Sequence, residues 1–325
     1  MVKAVRVHHC GGPEVLVVED VEVGAPGPGE ARVAHRAIGL NFIDCYFRSG
    51  LYPSPTGLPF VPGNEGAGVV TAVGDGVDAV AIGDRVAYVG PLGAYAAERL
   101  VPADRLVKIP DGVDDAVAAA AMLKGMTACY LLERTFRVGP GTTLLFHAAA
   151  GGVGQIAGQW AKALGATVIG TAGGPAKVAL AKTRGYDLVI DYRSEDFVAA
   201  VKAFTDGRGV DVVYDSVGRD TFPASLDCLK PLGTFVSFGN ASGPIAAFEL
   251  GLLAQKGSLF ATRQSLFTHI GPRSALEAIS GRLFEMIGSG AVDIPLSRRW
   301  ALEEAGEAHR ALEGRTTTGS MVLIP

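Results

Sequence analysis

Residues 143–154 read TLLFHAAAGGVG and run directly into the amphipathic stretch QIAGQWAKAL. An apolar strand enters a glycine-rich turn, and the turn opens a helix. A dinucleotide-binding βα unit needs that order, because the first amides of a helix are unpaired donors on which an anion can sit. Gly151 lets backbone approach a pyrophosphate, and Gly154 lets the helix lie close on its strand. Ala149 stands where the strict pattern has its first glycine, so a bare pattern search would miss this site.

Outward from this run the same rhythm repeats. Strands are expected at 143–147, 167–171, 187–191, 210–214, 234–238 and 258–261, with helices at 153–164, 175–184, 195–204 and 221–229. Pro175 suits a first helical turn, and Gly185 suits the position after a last one. Ser194 ahead of Glu195 and Asp196 reads as a helix cap followed by two acids. Six strands with helices between them imply a doubly wound parallel Rossmann sheet in an α/β protein.

Residues 1–124 have another texture. Short apolar strands at 4–7, 15–18, 31–37, 68–73 and 84–87 are broken by Gly, Pro and Asp, which reads as a β-rich unit. After Arg263 come helices at 272–287 and 303–312, and the strand 320–324 returns to the first unit. Residues 1–124 and 264–325 are therefore expected to form one domain, and 125–263 a nucleotide-binding domain. A chain of 325 residues is long enough for two.

The bulk numbers exclude several classes. Hydrophobic residues at 48% and charged residues at 19% suit a packed core rather than disorder. A formal charge of −4, with no basic run interleaved with aromatics, argues against nucleic acid. The longest small-apolar run, 116–123, is bounded by Asp115 and Lys124 and is short of the ~20 residues a membrane span needs. The N-terminal MVKAVRVHHCGG alternates like a strand and lacks a signal peptide's apolar core, so the cytoplasm is the expected location. Cys10, Cys45, Cys129 and Cys228 form no CxxC pair, which speaks for reduced, buried thiols rather than a closed zinc site.

An NAD site usually carries an acid at the end of its second strand, where it holds the ribose hydroxyls. Here that place reads Thr171-Ala172-Gly173-Gly174, with Lys177 on the next helix and Tyr192 after the third strand. No carboxylate repels a 2′-phosphate, and a cation reaches it. The expected cofactor is NADPH.

Six segments, HHCGGPEV (8–15), NFIDCYFRSGLY (41–52), GNEGAGV (63–69), GDRV (83–86), HAAAGGVG (147–154) and VYDSVG (213–218), resemble the zeta-crystallin-type quinone oxidoreductases of the medium-chain dehydrogenase/reductase superfamily. The likeness extends over effectively the whole chain. It implies a GroES-like β-rich catalytic domain, a Rossmann domain and a homodimer. By position it places Asn41, Tyr46 and Thr127 around the nicotinamide and its ribose, and Gly152 and Val153 at the pyrophosphate. Gly173, Lys177, Tyr192 and Arg315 would surround the 2′-phosphate. Ser216, Phe238, Asn240 and Arg263 would lie beyond the C-terminal ends of the later strands.

Alcohol dehydrogenases of this superfamily hold zinc with two cysteines and the histidine of a Gly-His-Glu run. Asn41 stands near the first ligand position, Asn64 replaces that histidine, and Cys45 alone cannot fix a metal. No metal is expected. A quinone is electrophilic enough for orientation of donor and acceptor to suffice. Tyr46, Tyr52 and Arg263 are the expected hydrogen-bond donors to it. Blander roles suit the same residues: a turn cap for Asn41, seam packing for the tyrosines, an ion pair for Arg263, a satisfied core position for His147. Asp44 and Glu65 read as structural. An NADPH-dependent alkenal or enone double-bond reductase would share fold and cofactor. A non-enzymatic nucleotide- or RNA-binding role is the reading from another class.

Overall fold

The computed structural model describes residues 1–314 and 316–325. The chain divides into two units, the first of residues 1–126, 270–288 and 294–325, the second of 127–269 and 289–293. Residues 264–269 and 289–293 therefore group with the nucleotide-binding unit, unlike the expected boundaries at 124 and 263. Side-chain pairing within the second unit explains this. His269 stacks on Tyr130 with ring centroids 4.5 Å apart. The Thr135 hydroxyl donates to Gln264 Oε1 at 2.8 Å, and Asp293 exchanges two backbone hydrogen bonds with the Gln159 side chain.

The first unit opens with the antiparallel pair β1 (Val2–Val7) and β2 (Leu16–Val21). Strand β3 (Glu30–Gly39) alternates buried and half-exposed side chains along its first half, as a strand with one covered face must. Asn41 caps helix α1 (Phe42–Ser49), which stops at Gly50 in the left-handed conformation with φ 82°. Strands β4 (Glu65–Val73), β5 (Arg85–Val89), β6 (Glu98–Pro102) and β7 (Val107–Lys108) follow. Helix α2 (Asp115–Tyr130) runs on through a wider turn to Thr135. The apolar run 116–123 is thus part of a 21-residue helix, longer than the sequence suggested; 83% of its most apolar window is buried, as in a core helix.

The second unit holds β8 (Thr143–Phe146), α3 (Gly152–Ala163), β9 (Thr167–Ala172), α4 (Pro175–Lys182), β10 (Leu188–Asp191), α5 (Phe197–Phe204), β11 (Val210–Asp215), α6 (Ala224–Asp227), β12 (Leu229–Ser237), α7 (Gly251–Gln255), β13 (Phe260–Arg263) and α8 (Leu266–His269). Its six parallel strands lie in the order β10-β9-β8-β11-β12-β13. The order reverses between β8 and β11, and a sheet of this kind takes ligands outside the strand C-termini at that point.

The chain then returns to the first unit with α9 (Arg273–Gly288), β14 (Leu296–Ala301), α10 (Ala305–Glu313) and β15 (Ser320–Ile324). β15 pairs parallel with β14 and antiparallel with β3, the return expected of the terminal strand. The resulting seven-stranded sheet closes over a core that includes Ile38, Leu40, Tyr88, Tyr95, Trp300 and Leu323.

Some local expectations fail for physical reasons. The cap of α5 is Asp196, whose carboxylate accepts from the Val198 and Ala199 amides, and not Ser194. The helix expected at 221–229 shrinks to α6. Pro223 lacks an amide to donate, the Thr221 hydroxyl is engaged by Asp215, and Leu229 already pairs with Val210 in the sheet. The last strand starts at Phe260 because Gly257 and Ser258 both take positive φ. Cys10 is exposed, against the expected burial, while Cys45, Cys129 and Cys228 are buried thiols.

Candidate functional site

In the second unit, the turn after β8 is shaped by close approaches. A Cβ on Gly154 would lie 2.4 Å from the Ala148 carbonyl oxygen and 2.8 Å from Ala149 Cα, so only glycine fits there. Ala149 replaces the first glycine of the fingerprint because Gly170, opposite it on β9, leaves the space: a Cβ on Gly170 would come within 2.7 Å of the Ala149 methyl. The Tyr186 hydroxyl donates to the Gly154 carbonyl at 2.6 Å and ties α3 to the segment before β10. Gly152 and Val153 form the first turn of α3, both part-exposed, with the unpaired amides of a helix start.

The end of β9, Thr171–Gly174, carries no acid of its own. A Cβ on Gly173 would meet the Tyr192 hydroxyl at 2.4 Å and Arg193 Nε at 3.2 Å, so Tyr192 and Arg193 both lie against this turn. Asp191 accepts from the Gly174 and Arg193 amides at 2.9 and 3.1 Å and draws the β10 turn onto the β9 turn. Lys177, half-buried, is on the first turns of α4. Sequence reasoning missed Arg193; the signal was its place beside Tyr192, one residue further from the strand. Arg315 lies outside the described residues.

The turns beyond the later strands are tied together. Ser216 accepts the Ala241 amide at 3.1 Å, and the absent Cβ of Gly239 lets Ser216 lie against it. Arg263, at the end of β13, donates to Ser237 Oγ at 2.6 Å and to the Gly239 carbonyl at 3.3 Å. Phe238 packs on Phe146 with centroids 5.5 Å apart, and Asn240 is buried. Ser216, Phe238, Asn240 and Arg263 are thereby gathered at one edge of the sheet, while Thr127 is buried on α2.

His147 is the satisfied core residue expected of it. Its Nδ1 meets the Thr171 hydroxyl at 2.9 Å and its Nε2 meets Ser225 Oγ at 3.0 Å. Ser225 in turn donates to Asp215 Oδ2 at 3.1 Å. The serine sits between histidine and aspartate, fully buried, so this chain is not a nucleophile triad.

In the first unit, the short helix α1 carries the expected side chains. Tyr46, Tyr52 and Phe47 pack edge to face, with Tyr46–Tyr52 centroids 5.2 Å apart and Phe47–Tyr52 5.9 Å. The Tyr52 amide donates to the Tyr46 carbonyl at 3.0 Å, which ties the backbone of the two residues together. Asn41 is buried and donates through Nδ2 to Glu65 Oε1 at 2.7 Å. Lys124 pairs with the same oxygen at 3.1 Å, and the Leu123 amide donates to Glu65 Oε2. Asn64 Nδ2 donates to Asp44 Oδ1 at 2.7 Å. Asp44 and Glu65 are structural acceptors, as their sequence positions suggested. Burial pushes the Asp44 carboxyl up to about 7, against the hydrogen bonds that favour its charge.

The asparagines at the ligand-like positions are therefore committed to carboxylates as donors. Among the described residues no group of three or more His, Cys, Asp or Glu side chains is placed to hold a metal ion. This donor set does not fit zinc.

A Rossmann unit with an anion-receiving turn, joined to a β-rich unit of this topology, defines a medium-chain dehydrogenase/reductase. Residues 27–111 match the alcohol dehydrogenase GroES-like domain, and residues 152–277 match the zinc-binding dehydrogenase family. The chain is 52% identical to a quinone oxidoreductase of Pseudomonas aeruginosa, with all of both chains covered. It is 46% identical to a 2-haloacrylate reductase of a Burkholderia species, covering 100% of this chain and 99% of the relative. The structure of Escherichia coli quinone oxidoreductase complexed with NADPH superposes with a TM-score of 0.97 at 48% identity, covering 99% of this chain and 100% of that one. The chain belongs to the quinone oxidoreductase family, the one its motifs indicated.

Proposed function

We propose that this protein is an oxidoreductase that reduces quinones with NADPH, without a metal ion. The observation that carries the cofactor choice is the β9 turn, where Gly173 and Gly174 face Tyr192 and Arg193, Lys177 stands on the next helix, and the strand end has no acid of its own, Asp191 of β10 being engaged by the Gly174 and Arg193 amides. The residues fit a dinucleotide in another respect: the space at Gly154 and the amides of Gly152 and Val153 suit a pyrophosphate. Bound NADPH would supply the hydride, and the quinone would take up that hydride and one proton from solvent to become the hydroquinone. Asn41, Tyr46 and Thr127 would face the nicotinamide end, with Ser216, Phe238, Asn240 and Arg263 at the strand ends. Tyr46, Tyr52 and Arg263 would donate hydrogen bonds to the oxygen on which charge develops. Arg315 belongs to the same reading of the 2′-phosphate pocket.

A second reading is favoured by the 2-haloacrylate reductase relative, whose substrate is by name an activated double bond. The same donors would serve that acceptor. A two-fold homodimer belongs to the proposal. β13 is an edge of the parallel sheet, and Phe260 on it and Leu250 nearby in sequence are 61% and 77% exposed; an open apolar edge of this kind is normally covered. We place the protein in the cytoplasm, with a small conjugated carbonyl as its partner and neither membrane nor nucleic acid.

Lys177→Ala tests the cofactor assignment. It should weaken NADPH binding by about 1–3 kcal/mol, the scale of a charge-assisted contact, while NADH binding is unchanged. Equal losses for both dinucleotides would show that Lys177 acts through folding and would remove the basis for the choice.

A further inference from the structure

One buried chain of polar groups in the first unit is not used by the reaction as described. Arg48, 2% exposed, forms an ion pair with Glu313 at 2.7 Å. Its Nη1 also lies 3.3 Å from His309 Nδ1. His309 Nε2 is 3.0 Å from the Tyr95 hydroxyl, and Tyr95 donates to Asp44 Oδ2 at 3.1 Å. That same Asp44 oxygen accepts the Asn41 amide at 2.9 Å, at the N-terminus of α1.

The direction of every hydrogen in this chain can be worked out. A guanidinium has donors only, so His309 Nδ1 must accept and its proton must be on Nε2. Burial and the Arg48 charge hold the imidazole neutral, with its pKa pushed down to about 3. Nε2–H then donates to the Tyr95 oxygen, which leaves the Tyr95 hydrogen for Asp44. Burial holds the Tyr95 hydroxyl well above the ordinary phenol range, so that hydrogen stays in place. The ring is accommodated by Gly63, whose φ is +95° and whose Cβ would come within 2.3 Å of Tyr95 Cδ1. With an arginine at one end and amides at the other, the chain cannot pass a proton through. It can only fix orientation.

We propose that Tyr95, directed by His309, is a positioning residue for the cofactor: it holds the Asp44 carboxylate on the Asn41 amide and so sets where Asn41 presents its side chain. Asn41 is held from two sides. Asp44 takes its backbone N–H, Glu65 takes its Nδ2, and its side chain accepts the Asp44 amide in the capping box, so backbone and side chain are fixed together. Under the proposed function, on which this inference rests, the Asn41 side chain lies at the nicotinamide end of NADPH. The groups facing Asp44 are Asn64 and Glu65 at the start of β4, Tyr95 from the β5–β6 connection, and Cys45 on its own helix. His309, from α10, reaches it through Tyr95, and the Arg48–Glu313 pair is further out.

The three groups hydrogen-bonded to Asp44, the Asn64 amide, the Asn41 N–H and the Tyr95 hydroxyl, all donate, so a proton on Asp44 opposes them and loosens the Asn41 cap. NADPH affinity should fall on the acid side of the Asp44 titration by about fivefold, the factor expected from one N-cap link. The test is the titration of Asp44 by carboxyl carbon NMR, set beside the dissociation constant of NADPH by fluorescence over the same pH range. It is run on the wild type, Tyr95→Phe and His309→Gln. Tyr95→Phe removes a donor to the charged form, so both midpoints should move to higher pH together, with kcat at saturating NADPH little changed. His309→Gln keeps one acceptor and one donor and should keep the wild-type midpoints. The 2′-phosphate's own titration is common to all three and cancels. An Asp44 midpoint that Tyr95→Phe leaves in place overturns the inference. So does an NADPH affinity that fails to follow it, and the wild-type comparison alone decides should that variant not fold. A protein that binds NADPH as described but reduces no quinone would refute the activity and leave this relay standing.

Discussion

The two units hold their candidate functional residues by opposite means. In the second, backbone does the work: a glycine turn, two helix amides and a strand end with no acid of its own, all within some fifty residues of chain. In the first, buried side chains do it, and the partners come from far apart in sequence. Asn41 meets Glu65, Tyr95 meets Asp44, and His309 meets both Tyr95 and Arg48 across more than two hundred residues. A backbone site tolerates change in most side chains and almost none in its glycines. A side-chain site reverses that sensitivity.

The largest effect that follows falls on the second unit. Gly154→Ala places a methyl group within 2.4 Å of a backbone oxygen that cannot swing aside. Overpacking of this kind costs about 1–3 kcal/mol of stability. Since it also displaces the α3 amides, NADPH affinity should fall more than about tenfold, a loss typical of an ill-placed anion site. Calorimetric titration with NADPH and a thermal melt of the same variant check this. An alanine variant with wild-type affinity would break the contrast between the units, because the turn would then not depend on its backbone.

A smaller effect is expected in the first unit. The Tyr46–Tyr52 pair is half-buried, and water can replace either hydroxyl as donor. Tyr52→Phe should lower quinone turnover by about 2- to 30-fold, below the ~10²–10⁴ of a committed general acid. The change should appear with quinone as the varied substrate, leaving NADPH affinity nearly unaltered. A thousandfold loss in a folded, NADPH-binding variant would make Tyr52 an obligatory proton donor and sharpen the comparison in the other direction.

Legibility in the sequence divides along the same line. The fingerprint, the alternation of strands and helices and the strand end without an acid are local signals, so the parallel sheet and its cofactor turn are readable from residues 143–261, whereas the order of the strands comes from the structure. Ala149 obscured the pattern, and only the contact with Gly170 explains it. Arg193 escaped notice because its side chain reaches the site only through the packing of the β10 turn onto Gly173. In the first unit, Asn41 and Asn64 were conspicuous as departures from a zinc pattern, but their carboxylate partners were not. Which acid pairs with which amide depends on packing between α1, β4 and α10, and no spacing encodes it. The cap of α5 was misplaced by two residues since Ser194 and Asp196 both suit the position; the structure selects the carboxylate.

The most direct measurement of the account is NADPH oxidation followed spectrophotometrically with a panel of acceptors: 1,4-benzoquinone, 9,10-phenanthrenequinone and trans-2-hexenal. Turnover of both quinones with NADPH is expected, with a higher kcat/KM for them than for the enal and little activity when NADH replaces NADPH. Turnover of the enal with neither quinone reduced would contradict quinone reduction and assign the site to activated double bonds.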